Sequence, residues 1–348
     1  MSKLQILNKI ISNTSPAFII AEVGQAHDGS LGMAHSFIDA ASEAGVDAIK
    51  FQTHIASAES TYNDTFRVKF SMQDDSRFDY WRRMEFTEDQ WVGLAKHAAE
   101  KNLIFLSSPF SIEAIDLLEK IGVPAWKIGS GEFKSEELMK RMIQSEKPIL
   151  YSTGMSNWDE ITNAINLFNK HNTSFAILQC TSLYPTPSEK VGINVIKEIK
   201  MRYNCEVGMS DHSGKIFAPL SAIVLGASII EVHVTFDKRM FGPDTIASLT
   251  FEELQTLRHG RDEIFIMQTN PVDKNLLSIE LENTRKLFTK SIALNRSLMP
   301  GEKITEDILV PKKPGTGIPY NHKAQLIGKK VNKKVDANFL LSWDDIEK

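Results

Sequence analysis

Cysteine is almost missing from these 348 residues: Cys180 and Cys205 are the only two, and both lie in apolar, strand-like runs. That scarcity excludes a disulfide-framed module and a multi-cysteine metal site, and it fits two buried thiols in a reducing cytoplasm. No apolar run approaches the roughly 20 residues needed to cross a bilayer. The opening M-S-K-L-Q-I-L-N-K-I-I is broken by Lys3, Asn8 and Lys9, so neither a signal peptide nor a membrane anchor is expected. A strong charge of one sign is lacking too, since 40 Lys and Arg stand against 44 Asp and Glu, a formal net charge of −4. Nor is there a dinucleotide fingerprint: A-E-V-G-Q-A-H-D-G-S, after the first strand-like run, lacks the G-x-G-x-x-G spacing.

The small net charge is unevenly spread. From Arg285 to Lys348 there are 13 Lys and Arg against 7 Asp and Glu, a balance of +6 that leaves −10 for the residues before it. The tail lysines lack the interleaved aromatics of a nucleic-acid module, so no nucleic-acid partner is expected. A solvated face or a lid over an anionic substrate remain as readings.

The body alternates strand and helix. Strand-like runs fall at 17–22, 46–52, 103–108, 125–132, 148–153, 175–181, 207–210 and 229–234. Between them, apolar residues recur at three- and four-residue spacing over 33–44, 88–101, 112–121, 136–144, 159–170 and 215–226. Eight β/α units predict a (β/α)₈ barrel, in the α/β class, and the polar residues support it. Nearly every run is apolar through its middle and polar at its C-terminal end: Glu22, Lys50 and Gln52, Ser107 and Ser108, Ser130 and Glu132, Ser152 and Thr153, Thr181 and Ser182, Asp211 and His212, then His233. One shared rim accounts for all of them. The stretch 53–86 after the second strand is long for a turn and rich in aromatics; it predicts either a cover for the rim or a satellite cluster outside the barrel. The pattern divides the chain into a barrel domain over 1–265, a helical linker over 266–284 and a small domain of short strands over 285–348.

Chemistry at that rim centres on His212 and His233, which end neighbouring strands 21 residues apart and are followed by F-G-P-D at 241–244. Two such histidines suit an open divalent-metal site with room for substrate oxygens. Lys50 and Lys127 with the hydroxyls of Ser130, Ser152 and Ser210 can hold a phosphate, and Glu22 and Glu132 offer carboxylates for proton transfer or for sugar hydroxyls. Singly, each has a plainer role: Lys127 as a solvated strand end, Glu22 as a partner for Lys50, the serines as helix caps. Together, at matching strand ends, they suit a phosphorylated or enol-phosphate substrate beside a metal-activated carbonyl.

The motifs I-I-A-E-V-G-Q-A-H-D-G-S, K-F-Q-T-H, S-S-P-F, W-K-I-G-S-G-E, S-T-G-M, C-T-S-L-Y-P-T-P, S-D-H-S and E-V-H-V-T-F-D-K resemble, in order, those of the sialic acid synthase family, which makes nonulosonic acids. The tail resembles that family's antifreeze-like (SAF) domain. The resemblance implies a transferase that condenses phosphoenolpyruvate with the open-chain aldehyde of an N-acylated amino sugar, with C–O cleavage and release of phosphate. It implies that His212 and His233 bind Mn²⁺ or Mg²⁺, and that Lys50, Lys127, Ser130, Ser152 and Ser210 hold phosphoenolpyruvate. Glu22 and Glu132 would manage protons and sugar hydroxyls, while Gln52, Ser182, Tyr184, Asp244 and Lys313 would contact substrate. It also implies a cytoplasmic, domain-swapped homodimer. Three positions depart from the family pattern: Ala26 and Ser182 stand where asparagines are expected, and Lys313 where an acyl-contacting arginine is expected. N-acetylmannosamine or a 2,4-diacetamido-dideoxy hexose of the legionaminic or pseudaminic kind would fit as acceptor, with W-K-I-G-S-G-E nearer the neuraminic and legionaminic branches. A Schiff-base aldolase using Lys127 or Lys50 would leave the histidines without a task, and a non-enzymatic binding protein would not need a complete rim.

Overall fold

An antiparallel hairpin that the hydrophobic pattern does not predict comes first. Strands β1 (Leu4–Ile6) and β2 (Lys9–Ile11) pair Leu4 with Ile11 across a turn in which Leu7 takes a φ of 51°. In the computed structural model, which describes residues 4–347, eight parallel strands follow: β3 (Phe18–Gly24), β4 (Ala48–Thr53), β5 (Ile104–Pro109), β6 (Trp126–Ile128), β7 (Ile149–Ser152), β8 (Phe175–Cys180), β9 (Glu206–Asp211) and β10 (Ile229–His233). Their order is β5-β4-β3-β10-β9-β8-β7-β6, and β5 and β6 lie side by side to complete the ring. A (β/α)₈ barrel is the result, with helices at Leu31–Ala44, Glu88–Glu100, Ile112–Ile121, Glu136–Ile143, Trp158–Lys170, Asn194–Tyr203, Phe217–Val224 and Phe251–Thr269.

The strands form because alternate residues meet two different surroundings. One phase, including Ile19, Ala21, Ile49, Phe51, Tyr151, Ile177, Ile230 and Val232, joins the helices' apolar faces in one continuous outer core. The other phase fills the barrel: Phe18, Ile20, Ala48, Leu106, Leu150, Leu178 and Ile229 cluster there with Leu4, Ile6 and Ile11 of the hairpin, so the hairpin plugs the floor. Two residues further along this inward phase the side chains become Glu22, Lys50, Ser108, Lys127, Ser152, Cys180, Ser210 and Glu231. The floor is apolar and the mouth polar on the same set of strands.

Two expectations need correction. The run 125–132 is a strand only to Ile128; Ser130–Glu132 forms a 3₁₀ turn, because Gly129 and Gly131 favour a turn over continued pairing. The linker expected over 266–284 does not begin as a separate element: a helix that starts at Phe251 runs through 266 to Thr269. Gly260 sits inside that helix, where a Cβ would come within 2.7 Å of Leu220 Cδ2. The stretch 53–86 carries its own helices, Ala56–Glu59 and Arg77–Met84, around an aromatic cluster in which Phe70 meets Tyr80 at 5.0 Å.

The chain separates into two compact units, Met1–Thr269 and Asn270–Lys348. In the second, helices Lys274–Glu280 and Glu282–Phe288 precede β11 (Ser291–Leu294) and β12 (Leu309–Lys312), an antiparallel pair. Short bridges and turns wrap a core of Ile292, Leu294, Leu298, Ile304, Ile318, Val331 and Leu341.

Below the barrel, Asp47 ties three elements together. Its carboxylate lies 2.9 Å from Arg261 Nη1 and 3.0 Å from Lys9 Nζ, and accepts the Ile19 amide at 3.0 Å. Arg261 also donates to the Ala17 carbonyl at 3.1 Å. Asp47→Ala leaves Arg261 only Asp262, 2.8 Å from its Nε, as a charged partner and strips the Ile19 amide of its carboxylate acceptor, and should cost about 2–3 kcal/mol, whereas Arg261→Met, which keeps the stem packed, should cost less. Urea denaturation followed by tryptophan fluorescence, to which four barrel tryptophans contribute, measures both; equal losses would contradict this account.

Candidate active site

At the mouth, register brings unlike charges together. Glu22 pairs in register with Lys50 across β3 and β4, and His233 with Glu22 across β10 and β3. Lys50 Nζ lies 2.6 Å from Glu22 Oε2 and 3.1 Å from Ser108 Oγ. Opposite, Lys127 Nζ donates to Ser152 Oγ at 2.8 Å. Between the two lysines stands Glu231, whose Oε1 is 3.9 Å from Lys50 Nζ and 3.4 Å from Lys127 Nζ and accepts the Ser210 hydroxyl at 3.1 Å. All four ionisable side chains are between 1% and 4% exposed.

Their titration follows from that burial. Burial raises the Glu22 carboxyl to about 7, outweighing the attraction of Lys50. Burial pushes Glu231 upward as well, but Lys127, Lys50 and the Ser210 hydroxyl together hold it below the usual carboxylate range. Lys127 is lowered, chiefly by desolvation, although Glu231 works against the change. Glu231 thus stays the resident anion, while Glu22 can carry or release a proton near neutrality.

The histidine pair adjoins this quartet. The rings of His212 and His233 are 5.4 Å apart, and Tyr184 lies 4.0 Å from His212. Desolvation lowers both histidines, so both rings are neutral at pH 7. His212 Nδ1 lies 3.0 Å from the Thr181 carbonyl, which can only accept; Nδ1 therefore carries the proton and Nε2 the lone pair. The His233 side chain makes no hydrogen bond among the described residues. Gly24 makes its position possible: with φ at 55°, a Cβ there would sit 3.2 Å from His233 Cε1.

Around Gly154 a small cradle opens. Its amide donates to Ser130 Oγ at 3.1 Å, and a Cβ would lie 2.3 Å from Ser182 Oγ, 2.7 Å from Ser130 Oγ and 2.8 Å from Cys180 Sγ. Only glycine fits. The buried Ser182 Oγ and Glu231 Oε2 have no hydrogen-bond partner among the described residues, which leaves them to an incoming group.

Above lies a cavity of about 440 Å³, lined by Gln52, Ser130, Glu132, Ser182, Tyr184 and Asp244 and walled by the stretch 53–86, from Glu59 to Trp81. That stretch is both cover and aromatic cluster. Gln52 links inward, donating to Glu22 Oε1 at 2.9 Å. Burial raises Glu132, which accepts the Ser135 hydroxyl at 2.6 Å. Asp244 is raised by burial and pairs with Arg67 at 3.2 Å.

Thirteen of the fourteen residues singled out from sequence lie on the barrel mouth. The other, Lys313, belongs to the second unit, its ammonium 4.9 Å from the Phe288 ring. Sequence reading overlooked Glu231, although a charge two residues before His233 in I-I-E-V-H-V must share its face. It also overlooked Gln25, Arg67 and the pair His54–Glu59, which no periodicity marks.

Among known proteins, the NeuB family model matches residues 37–272 and the SAF domain model residues 289–347. The chain is 32% identical to the N,N'-diacetyllegionaminic acid synthase of Campylobacter jejuni, over 93% of this chain and 98% of that one. It is 31% identical to the N-acetylneuraminate-9-phosphate synthase of Homo sapiens, over 92% and 90%. The crystal structure of an N-acetylneuraminic acid synthetase from Leptospira borgpetersenii in complex with citrate superposes with a TM-score of 0.72 at 29% identity, covering 81% of this chain and 97% of that one.

Two outcomes follow from the quartet. Glu231→Gln should lower thermal stability in plain buffer yet gain more from added inorganic phosphate than the wild type, because two lysines then share one carboxylate; equal phosphate gains would remove Glu231 as their counter-ion. Glu22, raised from 4.5 to about 7, favours the fold below pH 4.5 and loses that contribution as pH rises through 7. The urea midpoint of the wild type should therefore fall relative to Glu22→Gln between pH 5 and pH 8, and a constant difference would contradict the burial of this carboxyl.

Proposed function

The chain belongs to the NeuB family, and from that membership and the geometry of the mouth we propose a nonulosonic acid synthase. It condenses phosphoenolpyruvate with the open-chain aldehyde of an N-acylated amino sugar, yielding a nine-carbon 2-keto acid and phosphate. The observation that carries this reading is the pair of buried lysines, 2–3% exposed, set among serine hydroxyls beside two neutral histidines under a sugar-sized cavity. Burying two ammoniums is costly unless an anion meets them. A phosphate-bearing anion does.

Lys50 and Lys127, with Ser130, Ser152 and Ser210, hold the phosphate and carboxylate of phosphoenolpyruvate. The enol's C3 then forms a bond to the aldehyde carbon, water adds to C2, and the C2–O bond breaks so that phosphate leaves with the bridging oxygen. Glu22, joined to Gln52 and poised near neutrality, takes and returns protons at this centre. Glu132, Ser182, Tyr184 and Asp244 orient the sugar's hydroxyls and acyl group.

The donor set suits a divalent ion. Two neutral imidazoles lie beside Tyr184 of the cavity wall, at 4.0 and 6.0 Å between ring centroids, one with its tautomer fixed by Thr181, and among the described residues no third His, Cys, Asp or Glu joins them. Such a pair leaves positions for water and substrate oxygens. His212 and His233 would hold Mn²⁺ or Mg²⁺, which when bound supplies Lewis-acid polarisation of the aldehyde.

The division proposed is a synthase barrel over 1–265, a linker over 266–284 and an SAF domain over 285–348. In a cytoplasmic, domain-swapped homodimer the basic SAF domain would bring Lys313 to the partner's acceptor site, which the charge contrast of +6 against −10 supports.

Phosphate release from phosphoenolpyruvate, assayed with N-acetylmannosamine and with 2,4-diacetamido-dideoxy hexoses, tests the reaction. Turnover should need one of these acceptors, vanish on chelation with the fold intact by circular dichroism, and return with Mn²⁺. Bridging ¹⁸O should appear in the phosphate; label kept in the keto acid would refute C–O cleavage.

A further inference from the structure

The wall of the acceptor cavity carries a charge pattern that the reaction does not require. Besides the His54 imidazole and the phenols of Tyr80 and Tyr184, its ionisable groups are four carboxylates, Glu59, Asp64, Glu132 and Asp244, and two guanidiniums, Arg67 and Arg77. Both guanidiniums are committed. Arg77 Nη1 is 3.1 Å from Asp64 Oδ1 and donates to the Thr65 carbonyl at 3.2 Å. Arg67 Nη2 is 3.2 Å from Asp244 Oδ1 and 3.4 Å from the Pro243 carbonyl, and the guanidinium carbon lies 4.4 Å from the Tyr184 ring centroid. The other two carboxylates meet a histidine ring and a hydroxyl: Glu59 is 2.5 Å from His54 Nδ1, and Glu132 is 2.6 Å from Ser135 Oγ. Lys50 and Lys127 lie deeper, shared with Glu22 and Glu231.

Family membership leaves open whether the acceptor is a free sugar or a sugar phosphate. We infer, building on the synthase reading above, that this cavity takes an uncharged N-acylamino sugar and rejects its phosphate ester, and that the pairs Arg67–Asp244 and Arg77–Asp64 set that choice. A phosphate dianion in the cavity faces carboxylates in excess of cations. The free donors of Arg67 can reach it, but a guanidinium already neutralised by its carboxylate offers no net charge against a dianion; to meet it as an uncompensated cation, Arg67 must leave Asp244, which would stay largely buried without a counter-ion. One lysine brought by an SAF domain would still leave carboxylates in the majority. Neutral oxygens meet no such penalty: Arg67 spends only Nη2 on protein partners among the described residues, so Nε and Nη1 keep donors for a hydroxyl or an amide carbonyl. Stacking on Tyr184 holds that fork in place.

The test uses the full-length, Mn²⁺-loaded protein with phosphoenolpyruvate. N-acetylmannosamine, its 6-phosphate and a neutral 2,4-diacetamido-trideoxy hexose serve as acceptors. The better neutral sugar should exceed the 6-phosphate in kcat/KM by about 100-fold, the upper order that the desolvation penalty of one unsatisfied buried group confers. Equal or better use of the 6-phosphate overturns the inference and leaves the reaction standing; no turnover with any acceptor overturns the synthase reading beneath it. Asp64→Asn, which releases Arg77, should move the ratio toward the 6-phosphate by about tenfold. Arg67→Gln should raise KM for the neutral sugar about tenfold while the KM for phosphoenolpyruvate stays the same. If both variants keep the wild-type ratio and KM values, the arginine pairs do not determine the choice.

Discussion

Two ammoniums and two carboxylates, almost wholly withdrawn from water at one end of a closed sheet, constrain everything else in this barrel. Any one of Glu22, Lys50, Lys127 and Glu231, buried alone, would discharge or unfold its surroundings. As a quartet they balance, and the hydroxyls of Ser108, Ser152 and Ser210 satisfy most of what the charges leave over, with Glu231 Oε2 still without a partner among the described residues. The register of β3 against β4 and of β9 against β10 must therefore be kept residue for residue, since a one-residue slip would turn these groups into the apolar outer core.

That rigid base explains the division of labour above it. The deep part is strand-borne, fixed by ladder geometry and by the bulge at Gly24 that admits His233. The shallow part is loop-borne: the stretch 53–86 supplies the cavity's outer wall and holds its shape with its own aromatic cluster. Deep anion chemistry and shallow acceptor choice can then change independently, which suits a family whose members bear the names of different sugar products.

Much of this was legible in the sequence because a barrel strand writes its interior at every second residue. The apolar-to-polar switch along eight runs marked the mouth, and the histidine spacing marked two adjacent strands. What escaped has physical reasons. Glu231 looked like part of an apolar run, since only its neighbours across the barrel show that it faces two lysines. Arg67 lies on an excursion without periodicity, and its partner Asp244 is 177 residues away. The helix from Phe251 to Thr269 runs past the expected boundary at 265, because a glycine inside it, Gly260, serves close packing against Leu220 rather than an end.

The small hairpin at the start of the chain has a consequence for traffic. With Leu4, Ile6 and Ile11 stoppering the lower end, the chamber has a single door. On the proposed assignment, an anion bound for the lysines would pass the cavity wall before a sugar occupies it, and phosphate left on them would wait for the larger product to clear the passage. The order of arrivals and departures is then written into the architecture: last in, first out, with the smallest anion holding the innermost seat.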